Sequence, residues 1–424
     1  MRIQDFGLRD HPLRAALANE MHVRKLPPMS APTRIMQVVV LSDNSQVDRE
    51  RSVFAGRCGV ARPDGNPLAN FMVGRYQGMD VVWERHTEFS SFMFILPGPF
   101  EDPFEAAAFQ AAADGWFDQL GAKVVRGTLL AIADDGFRDR AGRWFTAEDL
   151  VVCDVSDAAA RIWSDFRIQS DGFGRLLIID NGLARQEASL VVQRLQELGN
   201  YRNMALLGLP VAQKLADRVS EYEVRLAALY SAMAAGRMPD SELLHRLVEL
   251  SAQLGEMVAD TRYRMSASRA YAEIVGDRLG ALRIGRVDGQ QTLGDFTDRR
   301  LLPAVRTCIS FSARLEDLSQ RAAWASSLMR TRVDTALSMQ NRDLLASMDR
   351  RTDLQLRLQQ TVEGLSVVAI SYYLIGLLAY VGKGLKLGPH VSSALIAAAV
   401  PVILLATWLG MKVLNRRLHR SAPS

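Results

Sequence analysis

Two apolar runs near the C-terminus constrain this chain more than any other feature. Residues 365–381 and 391–411 contain no charged side chain. A bilayer core about 30 Å thick needs about 20 helical residues, with a working range of roughly 17–25. The second run has that length. The first lies at the lower limit, and Thr361, Val362 and Gly364 extend it. Nine residues, GKGLKLGPH, join the runs, which suits an antiparallel helical hairpin. Two helices buried in a soluble core are the competing reading. The sequence favours transmembrane helices at about 363–382 and 391–411, followed by a basic tail at 412–424.

Flanking charge gives an orientation. Arg342, Arg350, Arg351 and Arg357 precede the hairpin, and Lys412, Arg416, Arg417 and Arg420 follow it. Only Lys383 and Lys386 lie in the connecting loop. Basic residues stay on the cytoplasmic side, so both ends are expected in the cytoplasm and the loop outside. Tyr380 and Trp408 suit the membrane interface. Ser366, Ser371, Tyr372 and Tyr373 are the polar groups of the first membrane helix, where packing against another helix is a commoner role than pore lining.

Composition is consistent with a cytoplasmic head. The N-terminus, MRIQDFGLRDHPLR, lacks the apolar core and cleavage site of a signal peptide. Cys58, Cys153 and Cys308 have no CxxC spacing and suit a reducing compartment, with packing as their expected role. The net charge is +4, but residues 292–360 contribute +3 and 361–424 contribute +5, which leaves −4 for residues 1–291. The basic character therefore belongs to the membrane end, where anionic lipid is the natural partner. Nothing in it calls for nucleic acid.

In chain order, residues 1–184 read as a mixed α/β domain. A helix is expected from Pro12. The β-branched run 34–42 reads as a buried strand and 46–57 as a helix, with a loop at 63–67. Residues 79–96 form one long strand or a bent pair. An alanine-rich helix runs from Asp102-Pro103 to near Gly121, and further strands fit 123–133, 149–155, 159–168 and 174–180. From 185 the strand signals stop. Helices fit 185–199, 202–234 and 239–284, giving a helical bundle at 185–291. Thr292 with Asp295 resembles a capping box opening a stalk helix over 292–360, in which Pro303 is the only interruption. Continuous from 304 to 381, it would span ~117 Å at 1.5 Å per residue. Leu337, Leu344, Leu358 and Leu365 keep a seven-residue spacing, with Arg351 in the middle slot, which makes a partial coiled-coil seam. The fold class is thus an α+β membrane protein: sheet domain, long helical stalk, two-helix hairpin. A homo-oligomer through stalk and hairpin is expected.

One constellation carries site chemistry. In a strand, Glu84, His86 and Glu88 would share one face, about 6.5–7 Å apart in steps of two. Two carboxylates and an imidazole suit a divalent metal or proton transfer, with His22 and Glu20 available to complete the set. The plainer reading is a solvated strand face, with Trp83 and Arg85 turned inward. Gly172-Phe173-Gly174 lacks the third glycine of a dinucleotide fingerprint. Arg350 and Arg351, with Lys412, Arg416 and Arg417, are candidates for lipid head groups.

Five stretches carry a family resemblance: HPLRAALANEMHVR (11–24), WERHTEF (83–89), YRNMALLGLP (201–210), FTDRRLLPAVRTC (296–308) and MDRRTDLQLRLQQTVEGLSVVAISYY (348–373). The chain resembles the bacterial membrane-anchored proteins grouped as domain of unknown function 3422. The resemblance implies anchoring in the bacterial inner membrane and transfers no catalytic residue or cofactor. The order of parts also resembles CorA-type magnesium channels, whose Gly-Met-Asn signature is absent here; Tyr380-Val381-Gly382-Lys383 stands in its place. Three functions stay open: an anchored cytoplasmic interaction or sensory module, a CorA-like cation channel, and a metal-dependent enzyme centred on Glu84, His86 and Glu88.

Overall fold

The run Thr33–Leu41 forms β1, the strand from which the N-terminal sheet grows. The structure, a computed structural model, describes residues 9, 11, 14, 25–60, 70–113, 115–118, 120, 123–384 and 389–420. The strands that follow β1 are β2 (Phe71–Tyr76), β3 (Met79–Arg85), β4 (Phe89–Pro97), β5 (Lys123–Ala133), β6 (Val151–Val155), β7 (Ala160–Ser164), β8 (Gly174–Asp180) and β9 (Gly285–Arg286). Their order in one sheet is β2-β3-β4-β1-β5-β8-β7-β6-β9. The β5–β8 pair is parallel and the other pairs are antiparallel, so the sheet is mixed as expected.

Side chains of β1 alternate between two cores. Ile35 and Val39 enter one, while Met36, Val38 and Val40 enter the other. A strand covered on both faces is apolar at most positions, which explains the run from Ile35 to Leu41 with Gln37 as its one polar member. The helices are α1 (Asn44–Cys58), α2 (Ala107–Ala113), α3 (Arg185–Leu206), α4 (Gly208–Ala235), α5 (Asp240–Ala281), α6 (Leu293–Gly384) and α7 (Pro389–Arg420). One face of the sheet is covered by α1, α2 and a 3₁₀ stretch at Asp135–Trp144, which supply Phe54, Phe109 and Phe137. Trp116 is fully buried there, with Phe54, Tyr76, Phe92 and Phe94 edge-on around it. The opposite face takes Val191, Leu195 and Leu198 of α3, Tyr271 and Val275 of α5, and Leu293, Phe296, Leu301 and Val305 of α6.

Several expectations need correction. Of the two readings of 79–96 the bent pair is the one formed: β3 ends at Arg85, and His86 N–H bonds the Phe89 carbonyl across a tight turn. β2 was not anticipated. The alanine-rich helix covers only Ala107–Ala113, and Trp116 and Leu120 reach the core from turns. The strand expected at 159–168 stops at Ser164, just before Phe166 adopts a left-handed φ of 54°. Pro303 does not interrupt α6, which is one helix of 92 residues. The capping box that opens it is formed: Asp295 N–H donates to the Thr292 hydroxyl at 3.0 Å, and Thr292 N–H donates to the Asp295 carboxylate at 3.2 Å. The helix expected from Pro12 and the loop at 63–67 lie outside the described residues.

The chain divides into two compact units, Met1–Met238 with His245–Ser326, and Pro239–Leu244 with Ser327–Ser424. Within the first, a side chain at Gly208 would come within 2.4 Å of the Ser268 hydroxyl and 3.2 Å of the Cys308 sulfur, so glycine lets α4 seat against α5 and α6. Within the second, the Ser371 and Thr407 hydroxyls are 2.7 Å apart and join α6 to α7. Arg332 pairs with Asp240 at 3.2 Å. The most apolar stretch of α6 is only 6% buried. Leu337, Leu344, Leu358 and Leu365 of the heptad seam are all exposed.

Candidate functional site

The expected Glu84–His86–Glu88 face does not form, because the turn after Arg85 breaks the strand alternation. Glu84 and His86 do meet, with His86 Nε2 3.5 Å from Glu84 Oε2. The other imidazole nitrogen lies 3.3 Å from the Tyr201 hydroxyl, and the ring stacks on Phe89 at 4.2 Å. Glu88 has other partners. It forms an ion pair with Arg264, and its charge acts on the Tyr263 and Tyr271 phenols. Burial, followed by the Glu88 charge, holds the Tyr271 phenol well above its ordinary range. Trp83 and Arg85 are inward, but the face is not solvated, since the side chains of Glu84, His86 and Glu88 are only 13%, 8% and 9% exposed. Trp83 donates its indole N–H to Glu50 at 3.1 Å, and Arg85 donates to the carbonyls of Ser42 and Thr87 at 2.8 and 3.1 Å. Among the described residues no group of three or more His, Cys, Asp or Glu is placed to hold a metal ion. His22 and Glu20 lie outside those residues.

Cys153 and Cys308 are buried and Cys58 is half-buried. Of the polar groups in the first apolar run, Ser371 packs against α7, whereas Tyr372 and Tyr373 are exposed and Ser366 bonds back to the Val362 carbonyl at 2.8 Å. Arg350 and Arg351 are exposed on α6. The Lys412 ammonium lies 4.6 Å from the centre of the Trp408 ring. The side chains of Arg416 and Arg417 are outside the described set.

The feature that sequence reasoning missed is a cavity of about 440 Å³ beside β5, the 164–174 segment and α3. Among the described residues four arginines line it, Arg126, Arg167, Arg175 and Arg202, and no acidic one does. Two of the four have acids nearby: Arg167 donates to Asp149 at 2.6 Å, and Arg175 lies 3.5 Å from Asp171. Among the described residues neither Arg126 nor Arg202 has an acidic partner. Arg126 Nη1 donates to three amide oxygens, those of Gln37 (2.6 Å), Gln196 (2.7 Å) and Asn200 (2.9 Å). Those acceptors orient the guanidinium without neutralising it. Gly199 makes room for it, since a Cβ there would sit 2.6 Å from Arg126 Cζ. Arg202 lies over the Phe166 ring at 4.6 Å and the Phe296 ring at 5.9 Å. Its Nη1 is shielded from solvent and has no hydrogen-bond acceptor among the described residues. Burial pushes Arg126 down to about 9, helped by the neighbouring Arg202 charge, and burial pushes Arg202 down to about 10. Both stay protonated at neutral pH.

The signal for this cavity was present in two places. Arg126 interrupts the apolar strand KVVRGTLLAIA, and Arg202-Asn203 lies in YRNMALLGLP on a helix whose other face is core. Neither position announces that the two charges meet.

A mixed sheet buried on both faces, followed by a long helix with an apolar end and a second, shorter apolar helix, defines the class of protein. The family model described as a protein of unknown function (DUF3422) matches residues 9–418, and the chain belongs to that family. No curated protein matches the chain. The likeness to CorA-type channels finds no support in these comparisons.

Proposed function

We propose that this chain is an integral protein of the bacterial inner membrane, with its α/β unit as a cytoplasmic interaction or sensory head. In this reading α6 runs from the head to the bilayer and crosses it, α7 returns, and both termini stay in the cytoplasm. The observation that carries the reading is the apolar surface of α6 and α7. Leu365, Val368, Leu377 and Val381 on α6, and Val402, Leu405 and Leu409 on α7, are all exposed. Exposed apolar side chains in that number are unstable in water and ordinary in lipid. The Ser371–Thr407 contact supports a paired hairpin, because a part-buried hydroxyl pair between two helices satisfies both side chains without water. Arg350, Arg351, Lys412, Arg416 and Arg417 would meet lipid head groups at the cytoplasmic face.

The test is extraction. Membranes from bacteria expressing the full chain are washed in alkaline carbonate. The protein is expected to stay with the pellet and to require detergent for release. Recovery in the carbonate supernatant would sink the reading.

A further inference from the structure

We propose that the arginine-lined cavity of the head binds a small phosphate monoester with an apolar body, held through Arg126 and Arg202. The proposal names the ligand class of the head and rests on the reading of the head as the working part.

Size and lining both fit. Small-molecule sites span about 300–1,000 Å³, mostly apolar with a few convergent polar groups, and this cavity is about 440 Å³. Val124 and Ile168, both exposed, offer an apolar surface beside the charges. Charge decides the ligand. Two guanidiniums lie close together, and no carboxylate pairs with either among the described residues. A buried cation is ordinarily paired, because the loss of hydration is otherwise uncompensated. Arg126 is instead oriented by neutral amides, and one face of Arg202 rests on an aromatic ring. Both arrangements fix a charge in place and leave it for something else to neutralise. A phosphate ester carries about −1.5 to −2 at neutral pH and three acceptor oxygens. That matches two forked donors better than a single carboxylate does. The wall is also strained. Phe166 has a φ of 54°, a region costly for a bulky residue, and is held there by stacking on Phe296 at 4.4 Å and by Arg202. Strain of this kind clusters at ligand sites.

Titration calorimetry on the full chain in detergent tests the assignment, with phenyl phosphate, inorganic phosphate and benzoate as probes. Phenyl phosphate is expected to bind more tightly than either of the others. Arg202→Gln is expected to weaken it by ~10- to 100-fold, as removal of a charge-assisted hydrogen bond does. No binding of phenyl phosphate to the unaltered protein, equal binding by the variant, or tighter binding of benzoate would each overturn the proposal. A second measurement needs no variant. Phenylglyoxal modification of Arg126 and Arg202, mapped by mass spectrometry, should slow when phenyl phosphate is present; unchanged modification rates at both would also overturn it. These readouts do not depend on the carbonate result, so the two readings fail separately.

Discussion

Arg126 shows how far a single residue can be read from sequence. A lone arginine in an apolar strand announces that something polar lies beside it, but not what. Its three acceptors come from β1 and α3, 70 to 89 residues away in the chain. Glu84, His86 and Glu88 show the opposite error. Alternation is a sound rule within a strand, but β3 ends at Arg85, before both His86 and Glu88. The thiols were better served, since isolated cysteines with no spacing motif are usually packing groups. Burial pushes Cys58 and Cys153 up to about 11 from an ordinary 9.0. The folded chain therefore keeps protons that the unfolded chain releases. Their contribution is fully present below pH 9 and is lost as pH rises from 9 towards 11. Urea midpoints across that interval should fall in the unaltered protein and fall less in a Cys58→Ala, Cys153→Ala variant, with each compared against its own value below pH 9. Parallel declines would show that the thiols do not carry the effect.

At the scale of elements, legibility followed burial. β1, β5 and β8 were visible because strands covered on both faces are apolar at most positions, despite Gln37 in β1, Arg126 in β5 and Arg175 in β8. β2, FMVGRY, escaped because it is an edge strand whose second half is polar and partly exposed. The alanine-rich segment after Asp102 has the composition of a helix, but tertiary packing takes over at Trp116, whose ring fills the centre of one core. Trp116→Ala should cost about 3–5 kcal/mol, the usual range for emptying a large aromatic site. Urea unfolding followed by far-ultraviolet dichroism measures it. A loss below about 1 kcal/mol would mean that the site collapses around the void or that the ring is less central than its contacts imply.

For the whole molecule, the long helix was legible in its capping box and its unbroken pattern, and Pro303 was the misleading signal. What the sequence left open was whether the leucine seam has a partner within the chain. Leu337 and Leu344 are uncovered, and a second copy would cover them. With native cysteines replaced, Leu344→Cys should form disulfide-linked dimers in membranes. Arg342→Cys, two residues away and so on the other side of the helix, should form few. Equal yields, or none at either site, would refute a paired stalk. The seating of the helix in the head has a further consequence. Phe296, in its first turn, stacks on Phe166, and Phe166 in turn supports Arg202. Coupled binding equilibria are reciprocal. If filling the cavity alters the hold on that first turn, then torque or tension applied to the helix must in turn alter affinity in the cavity. The head would then work as a gauge of mechanical load as well as a reader of ligand.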